Sequence, residues 1–185
     1  MMKQTITTVA NEVSDVLHQV DEEQAVGLSQ HLQTAERIFI AGEGRSGLMG
    51  KAFAMRLMHG GFTVFVTGET ITPSIGQGDL LVAISGSGST ASIVQFANKA
   101  KEAGAKVCLV TTNPDAELAG RSDSVLLVPA ATKKRRPEEP DTIQPLGNQF
   151  DQSIHLLLDA IIIQTMQTNE NSSYQDMTNR HANLE

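Results

Sequence analysis

Apolar runs and helix-like segments alternate along most of this chain. Residues 1–20 place their apolar side chains at helical spacing, and Asp21 and Gln24 are spaced as the capping box of a second helix. Five apolar runs then read as strands: Ile38–Ala41, Phe62–Val66, Asp79–Ile84, Val107–Thr111 and Ser124–Val128. Further helical segments are predicted at about Gly47–His59, Thr90–Ala103, Ala116–Ala119 and Asn148–Met166.

The strand runs are apolar throughout and do not alternate with polar residues. Such runs are typical of a parallel sheet that helices cover on both faces. With helices between the strands, the chain predicts a doubly wound three-layer α/β/α sandwich on a five-stranded parallel sheet. We expect one domain, with N-terminal helices in 1–36, the core and last long helix in 37–168, and a polar tail in 169–185.

Composition narrows the possible partners and the compartment. The net charge of -7 argues against broad nucleic-acid binding, and the most apolar stretch, Leu156–Ile163, is too short to span a bilayer. The N-terminus lacks the apolar segment of a signal peptide, so we expect a cytoplasmic protein without a membrane partner. The single cysteine, Cys108, lies in an apolar strand and is expected to be a buried, inert thiol.

The first glycine turn, Gly42–Gly47, follows the first predicted strand and contains Gly44 and Ser46. Its spacing matches the dinucleotide-binding pattern G-x-G-x-x-G, and Glu69 follows the next strand as an acid in roughly the right place. A dinucleotide-binding protein is therefore one hypothesis. The hydroxyl of Ser46, the two preceding helices and a second such turn argue against it.

The second glycine turn, Ser85–Thr90, is the more specific signal. Its hydroxyl groups belong to Ser85, Ser87, Ser89 and Thr90. Gly86 and Gly88 let backbone N–H groups turn inward, and Thr90 stands where a helix begins and an anion is favoured. Because strand ends meet at one edge of such a sheet, both turns predict a site for one phosphate monoester. The alternative is a serine-rich turn that only caps its helix.

At these residues the chain resembles a known family. Gly42-Glu-Gly-Arg-Ser46 and Ser85-Gly-Ser-Gly-Ser-Thr90 are similar to the sugar isomerase (SIS) domain. Other segments resemble the 6-phospho-3-hexuloisomerases more narrowly: Phe53–His59, Val66–Glu69, Thr72-Pro73, Ile143–Gly147 and Arg180–Glu185. The resemblance covers nearly the whole chain except the first helices and the loop Ala130–Asp141.

The resemblance implies a function: conversion of D-arabino-hex-3-ulose 6-phosphate to fructose 6-phosphate through an enediol. A base then removes a proton from C2 and a proton returns to C3, without a metal or a redox cofactor. The phosphate would be held by Gly44, Ser46, Ser85, Gly86, Ser87, Gly88, Ser89 and Thr90. The expected partners are a sugar phosphate and further copies of the chain: the apolar last helix suggests at least a dimer, and the resemblance implies a homotetramer. Alternatives are a non-catalytic phosphosugar sensor and an isomerase of another sugar phosphate.

The resemblance also assigns Asp151 as the base, where the family has a glutamate. The shorter side chain must approach the substrate more closely by roughly an ångström. A structural role competes, because Asn148 and Asp151 are spaced as a capping box, and an acid in a first helical turn is stabilised in its charged form.

Three histidines and one basic segment remain. His155 is expected to pack in the core or to pair with Asp151, and His59 to serve as a cation at a helix end. His181 lies in the polar tail, and our hypothesis is that this tail supplies His181 to a neighbouring subunit's site. Lys133–Arg136 is expected to be either a solvated loop or a flap whose cations contact phosphate.

Overall fold

The computed structural model describes residues 1–167 and 173–184. The predicted tail therefore begins outside the described residues, and Glu185 of the terminal motif also lies outside them. The division into one domain with the boundaries given above stays a prediction.

Five parallel strands form the sheet in the order β2-β1-β3-β4-β5. They are β1 Ile38–Gly42, β2 Val64–Val66, β3 Leu80–Ile84, β4 Lys106–Thr111 and β5 Ser124–Leu127. The helices are α1 Met2–His18, α2 Glu22–Thr34, α3 Gly44–His59, α4 Ala91–Glu102, α5 Glu117–Arg121, α6 Asn148–Gln167 and α7 Tyr174–Arg180. The predicted doubly wound α/β fold is confirmed.

Alternate residues of the strands serve two hydrophobic clusters, one on each face of the sheet. Ile38 and Ile40 of β1 belong to the cluster that includes side chains of α2, α3 and α6. Phe39 and Ala41 belong to the cluster with α4 and α5. Because both faces are covered, polar positions have no place within the central strands, which explains their continuous apolar runs.

At the start of α2, the side chains of Asp21 and Gln24 make different contacts from those of a complete capping box. Asp21 is the N-cap as predicted, since its carboxylate accepts hydrogen bonds from the N–H groups of Glu23 (2.8 Å) and Gln24 (3.4 Å). The reciprocal half of the predicted capping box is absent, because Oε1 of Gln24 instead accepts from the Leu127 N–H at 2.8 Å. This bond attaches α2 to β5.

Part of the predicted polar tail forms the helix α7. Ser173 and Asp176 form a capping box that begins α7, although no residue of α7 is buried. Among the described residues, no helix has both the length and the apolar character needed to cross a membrane. Cys108 is buried as expected, and burial raises the pKa of its thiol to about 11.

Candidate active site

The two glycine turns lie side by side because β1 and β3 are neighbours in register. Gly42, the last residue of β1, is paired with Ile84, the last residue of β3. A side-chain contact joins the first turn to the helix that follows the second: the Ser92 hydroxyl, in the first turn of α4, donates to Oε1 of Glu43 at 2.7 Å. The topology thus places both turns at the carboxyl edge of the sheet, where ligands bind in doubly wound folds.

The glycine spacing of the first turn reflects a close backbone approach. A Cβ atom on Gly47 would lie 2.6 Å from the Gly42 carbonyl oxygen, so a larger residue does not fit there. Gly44 has a φ of +56° and begins α3 three residues earlier than predicted. Ser46 therefore lies in the first turn of a helix, where its hydroxyl is held in a fixed direction.

The second turn is fixed to the end of β4. The Gly86 carbonyl accepts hydrogen bonds from the Thr112 N–H (3.1 Å) and the Thr112 hydroxyl (2.8 Å). The hydroxyls of the second turn hydrogen-bond one another: Ser85 with Thr90 at 2.9 Å, and Ser89 to Ser87 at 3.1 Å.

The possibility that this turn only caps its helix finds no support. Thr90 is the N-cap of α4, but its side chain makes no capping hydrogen bond.

Asp151 lies against the first glycine turn and is only 5% exposed. Oδ1 accepts a hydrogen bond from the Ser46 hydroxyl at 2.9 Å, and Oδ2 accepts one from Nε of Arg45 at 3.2 Å. The predicted capping box with Asn148 is wrong: the carboxylate points across to α3 instead of back along its own helix. A predicted phosphate ligand and the predicted base are therefore direct neighbours.

Burial dominates the electrostatics of this carboxylate. It raises the pKa of Asp151 above its ordinary value, while the Ser46 hydroxyl and the Arg45 guanidinium oppose the rise. The position at the start of α6 predicted a stabilised anion and hence a weaker base. The structure gives the opposite direction, because removing the carboxylate from water outweighs its polar contacts.

Two charged residues of the first turn were not identified from the sequence. Arg45 contacts Asp151 while 56% of its side chain stays exposed, and Glu43 spans to α4 through Ser92. The available signal was their position, since Glu43, Arg45 and Ser46 belong to the same short turn at a strand end.

The prediction for His155 is wrong. This residue is exposed, and its Nε2 lies 4.0 Å from Asp159, so it neither packs in the core nor pairs with Asp151. His59 ends α3 as predicted, but it is only 3% exposed. Burial, Arg56 and His181 lower the pKa of His59, which works against the expected helix-end cation.

Within the chain, His181 lies far from Asp151. Its ring stacks on that of His59 with 5.1 Å between centroids. His59 ends α3 and Ser46 lies near its beginning, and thirteen residues of helix span about 20 Å. The single chain thus does not bring His181 to the turns, and its supply by a neighbouring subunit stays a prediction.

The basic segment 133–136 is part of an ion-paired loop. Arg136 donates to Oε1 of Glu139 at 3.0 Å and to the Thr112 hydroxyl at 2.9 Å. Lys133 and Lys134 are exposed, as a solvated loop predicts. Arg136 holds this loop to the end of β4, beside the second glycine turn.

The chain belongs to the SIS domain family. The model of this family matches residues 31–138, which include both glycine turns. The 3-hexulose-6-phosphate isomerase of Mycobacterium gastri is 42% identical over 180 residues, covering 97% of this chain and 89% of the relative. The enzyme of the same name from Bacillus subtilis (strain 168) is 39% identical, covering 97% of each chain.

A solved structure agrees with these relatives. The crystal structure of a protein from Methanococcus jannaschii superimposes with a TM-score of 0.84 at 31% identity. It covers 98% of this chain and 99% of that one, and a molecular function of 3-hexulose-6-phosphate isomerase was inferred for it.

Proposed function

We propose that this protein is a 3-hexulose-6-phosphate isomerase, which interconverts D-arabino-hex-3-ulose 6-phosphate and fructose 6-phosphate. The observation that carries the proposal is the hydrogen bond between Ser46 and the buried Asp151. It sets a candidate base beside the turns that are suited to a phosphate ester. The full-length similarity to enzymes of this name supports the choice of substrate.

The first role of the site is to hold the phosphate. We assign this to Gly44 and Ser46 of the first turn and to the second turn, Ser85–Thr90. Their hydroxyl groups and the first N–H groups of α4 would provide donors for a dianion. Fixing the phosphate also fixes the carbon chain, so that C2 and C3 stay within reach of the base.

The second role is proton transfer, which we assign to Asp151. Its carboxylate would take the proton from C2 of the hexulose phosphate, and a proton would then be delivered to C3 of the enediol. Burial raises the pKa of Asp151 and makes it a stronger base than an exposed aspartate. Arg45, which contacts the carboxylate and is more than half exposed, is placed to stabilise negative charge developing on the substrate.

Catalysis and simple binding can be separated with one substitution. We expect the protein to convert hex-3-ulose 6-phosphate to fructose 6-phosphate, and Asp151→Asn to reduce kcat about 10²- to 10⁴-fold, the usual contribution of a general base. A coupled assay of fructose 6-phosphate formation measures both. Asp159→Asn, on the exposed side of the same helix, is the matched control and should keep the wild-type rate.

An isomerase and a non-catalytic phosphosugar sensor give different results in this assay. Tight binding of fructose 6-phosphate without turnover by the wild-type protein would indicate a non-catalytic phosphosugar sensor. An unchanged rate in Asp151→Asn would exclude Asp151 as the base.

We also propose that the working unit is a homo-oligomer, with the tetramer expected from the family resemblance. Large apolar side chains of α3 and α6 are exposed, among them Leu48, Met55, Leu156 and Ile163. An apolar groove of about 870 Å³ between α1 and α6 reaches Arg45. A second subunit seated in this groove would lie close to Asp151, because Arg45 lines the groove and contacts that carboxylate. The supply of His181 by such a neighbour is part of this proposal.

A further inference from the structure

Glu43 carries a negative charge into a site that is suited to an anion. It is the N-cap of α3, although its side chain does not cap that helix. The carboxylate instead reaches across the site, where Oε1 accepts a hydrogen bond of 2.7 Å from the Ser92 hydroxyl. Ser92 is the second residue of α4, and this helix begins directly after the second glycine turn.

The start of α4 is open to an anion from outside the helix. Thr90 makes no capping bond and shares its hydroxyl with Ser85 instead. The helix has twelve residues, and its first N–H groups carry the partial positive charge of a helix terminus. The Glu43 carboxylate is held at the first turn of this helix through its hydrogen bond with the Ser92 hydroxyl.

We propose that Glu43 is a built-in competitor of the substrate phosphate and thereby lowers the affinity of the site for phosphate esters. This inference rests on the proposed function, because it takes the second glycine turn as the phosphate site. Before substrate binds, the Glu43 carboxylate stays hydrogen-bonded to Ser92 and the turn hydroxyls bond one another. An incoming phosphate must displace the carboxylate and break those bonds.

The competition lowers the affinity of the site by the same factor for every anion that must displace Glu43. A dianionic phosphate ester gains more from the helix terminus and the hydroxyls than a side-chain carboxylate does, so it can still displace the tethered carboxylate. Glu43 thus sets how tightly the site holds a phosphate ester.

Equilibrium titrations with inorganic phosphate and with fructose 6-phosphate test this role without requiring turnover. In Glu43→Gln we expect Kd to fall about two- to fivefold for both ligands, the range that one charge at a helix terminus produces. Glu43→Asp keeps the charge but shortens its reach to Ser92, so it should lower both Kd values by less. Glu102→Gln, which removes one charge at the far end of α4, should leave both unchanged.

The outcomes separate this inference from the proposed function. If wild-type protein lacks turnover, the proposed function fails, whereas the comparison of phosphate affinities still decides the role of Glu43. Weaker binding of fructose 6-phosphate to Glu43→Gln would overturn the inference, because Glu43 would then contact the sugar. Equal affinities in wild type and Glu43→Gln, or binding of neither ligand to either, would overturn it as well.

Discussion

The contact between Arg45, Ser46 and Asp151 joins residues that are more than one hundred positions apart in sequence. Its chemistry depends on a balance, because burial raises the pKa of the carboxyl while the cation and the hydroxyl lower it. The base acts as a carboxylate, so activity is lost as the pH falls through the pKa of Asp151. Any change to these neighbours should therefore appear in the pH profile.

Replacing Arg45 tests this balance. In Arg45→Gln the pKa of Asp151 should rise further, since the opposing positive charge is gone, and the acid limb of kcat/KM should move to higher pH. We also expect kcat to fall about 10²-fold at the optimum, as for the loss of a donor that stabilises developing charge. The measurement is the pH dependence of kcat/KM for the variant and the wild type.

Lys51→Gln provides the control, because Lys51 is a cation of the same helix that pairs with Glu69 at 3.5 Å. Its acid limb should coincide with that of the wild type. An unshifted limb in Arg45→Gln would mean that Arg45 does not govern the protonation of the base.

Part of this site could be predicted from residues alone. Ser46, the Ser85–Thr90 turn and Asp151 were identified because their types and positions follow strand ends or match a family. Their mutual contact was not predicted, because it depends on how α6 packs against α3. Local spacing suggested a capping box for Asp151, and the tertiary contact with Ser46 replaced it.

At the scale of elements, the least secured one is α7. It has no buried residue, and its C-terminal end contacts the end of α3 through polar groups and stacked rings. Arg180 donates to the His59 carbonyl at 3.1 Å, and Arg56 lies 3.3 Å from Nδ1 of His59. A proton on His59 would thus add a charge beside two arginines and His181.

This arrangement predicts that α7 becomes less stable as the pH falls. The pKa of His59 is lowered in the fold, so the stability it contributes is present above the ordinary histidine value of about 6.5 and is lost as the pH falls below it. Hydrogen exchange, corrected for its intrinsic pH dependence, should show α7 amides losing protection below about pH 6. Those of β1 and β3 should stay protected.

The variant His59→Gln cannot take up a proton and should lose most of this pH dependence. Equal protection of α7 in the wild type across the same pH range would contradict this role of His59.

The elements themselves were largely predictable, and the exceptions have physical causes. The strands and long helices follow from uninterrupted apolar runs and helical spacing. α7 was missed because its sequence is polar, and its order comes from the Ser173 capping box and contacts with α3. α3 begins at Gly44, earlier than predicted, because a glycine there can adopt the positive φ that the turn requires.

For the molecule as a whole, the exposed apolar side chains of α3 and α6 predict assembly. Leu156 is 49% exposed on α6, so Leu156→Asp should leave the folded chain intact while placing a charge in the proposed interface. Light scattering should show a smaller assembly than for the wild type. Gln95→Asp, on the opposite layer of the sandwich, is the control and should keep the wild-type mass.

Assembly and activity should be lost together if a neighbour supplies His181. Truncation after Asn179 should then abolish turnover while preserving the fold. Full activity in either the truncated chain or a monomeric Leu156→Asp would contradict this role of His181, and a wild-type monomer would contradict the assembly itself.

The central claim is that this fold moves a carbonyl between C3 and C2 of a phosphorylated ketose through an enediol. Fructose 6-phosphate incubated with the protein in D₂O tests it most directly, with ¹H NMR reporting where deuterium enters. The reverse reaction removes the proton at C3, so repeated turnover should place deuterium at C3 and leave C1 unlabelled. Deuterium at C1 would indicate an aldose–ketose isomerase, and the absence of exchange would contradict the claim altogether.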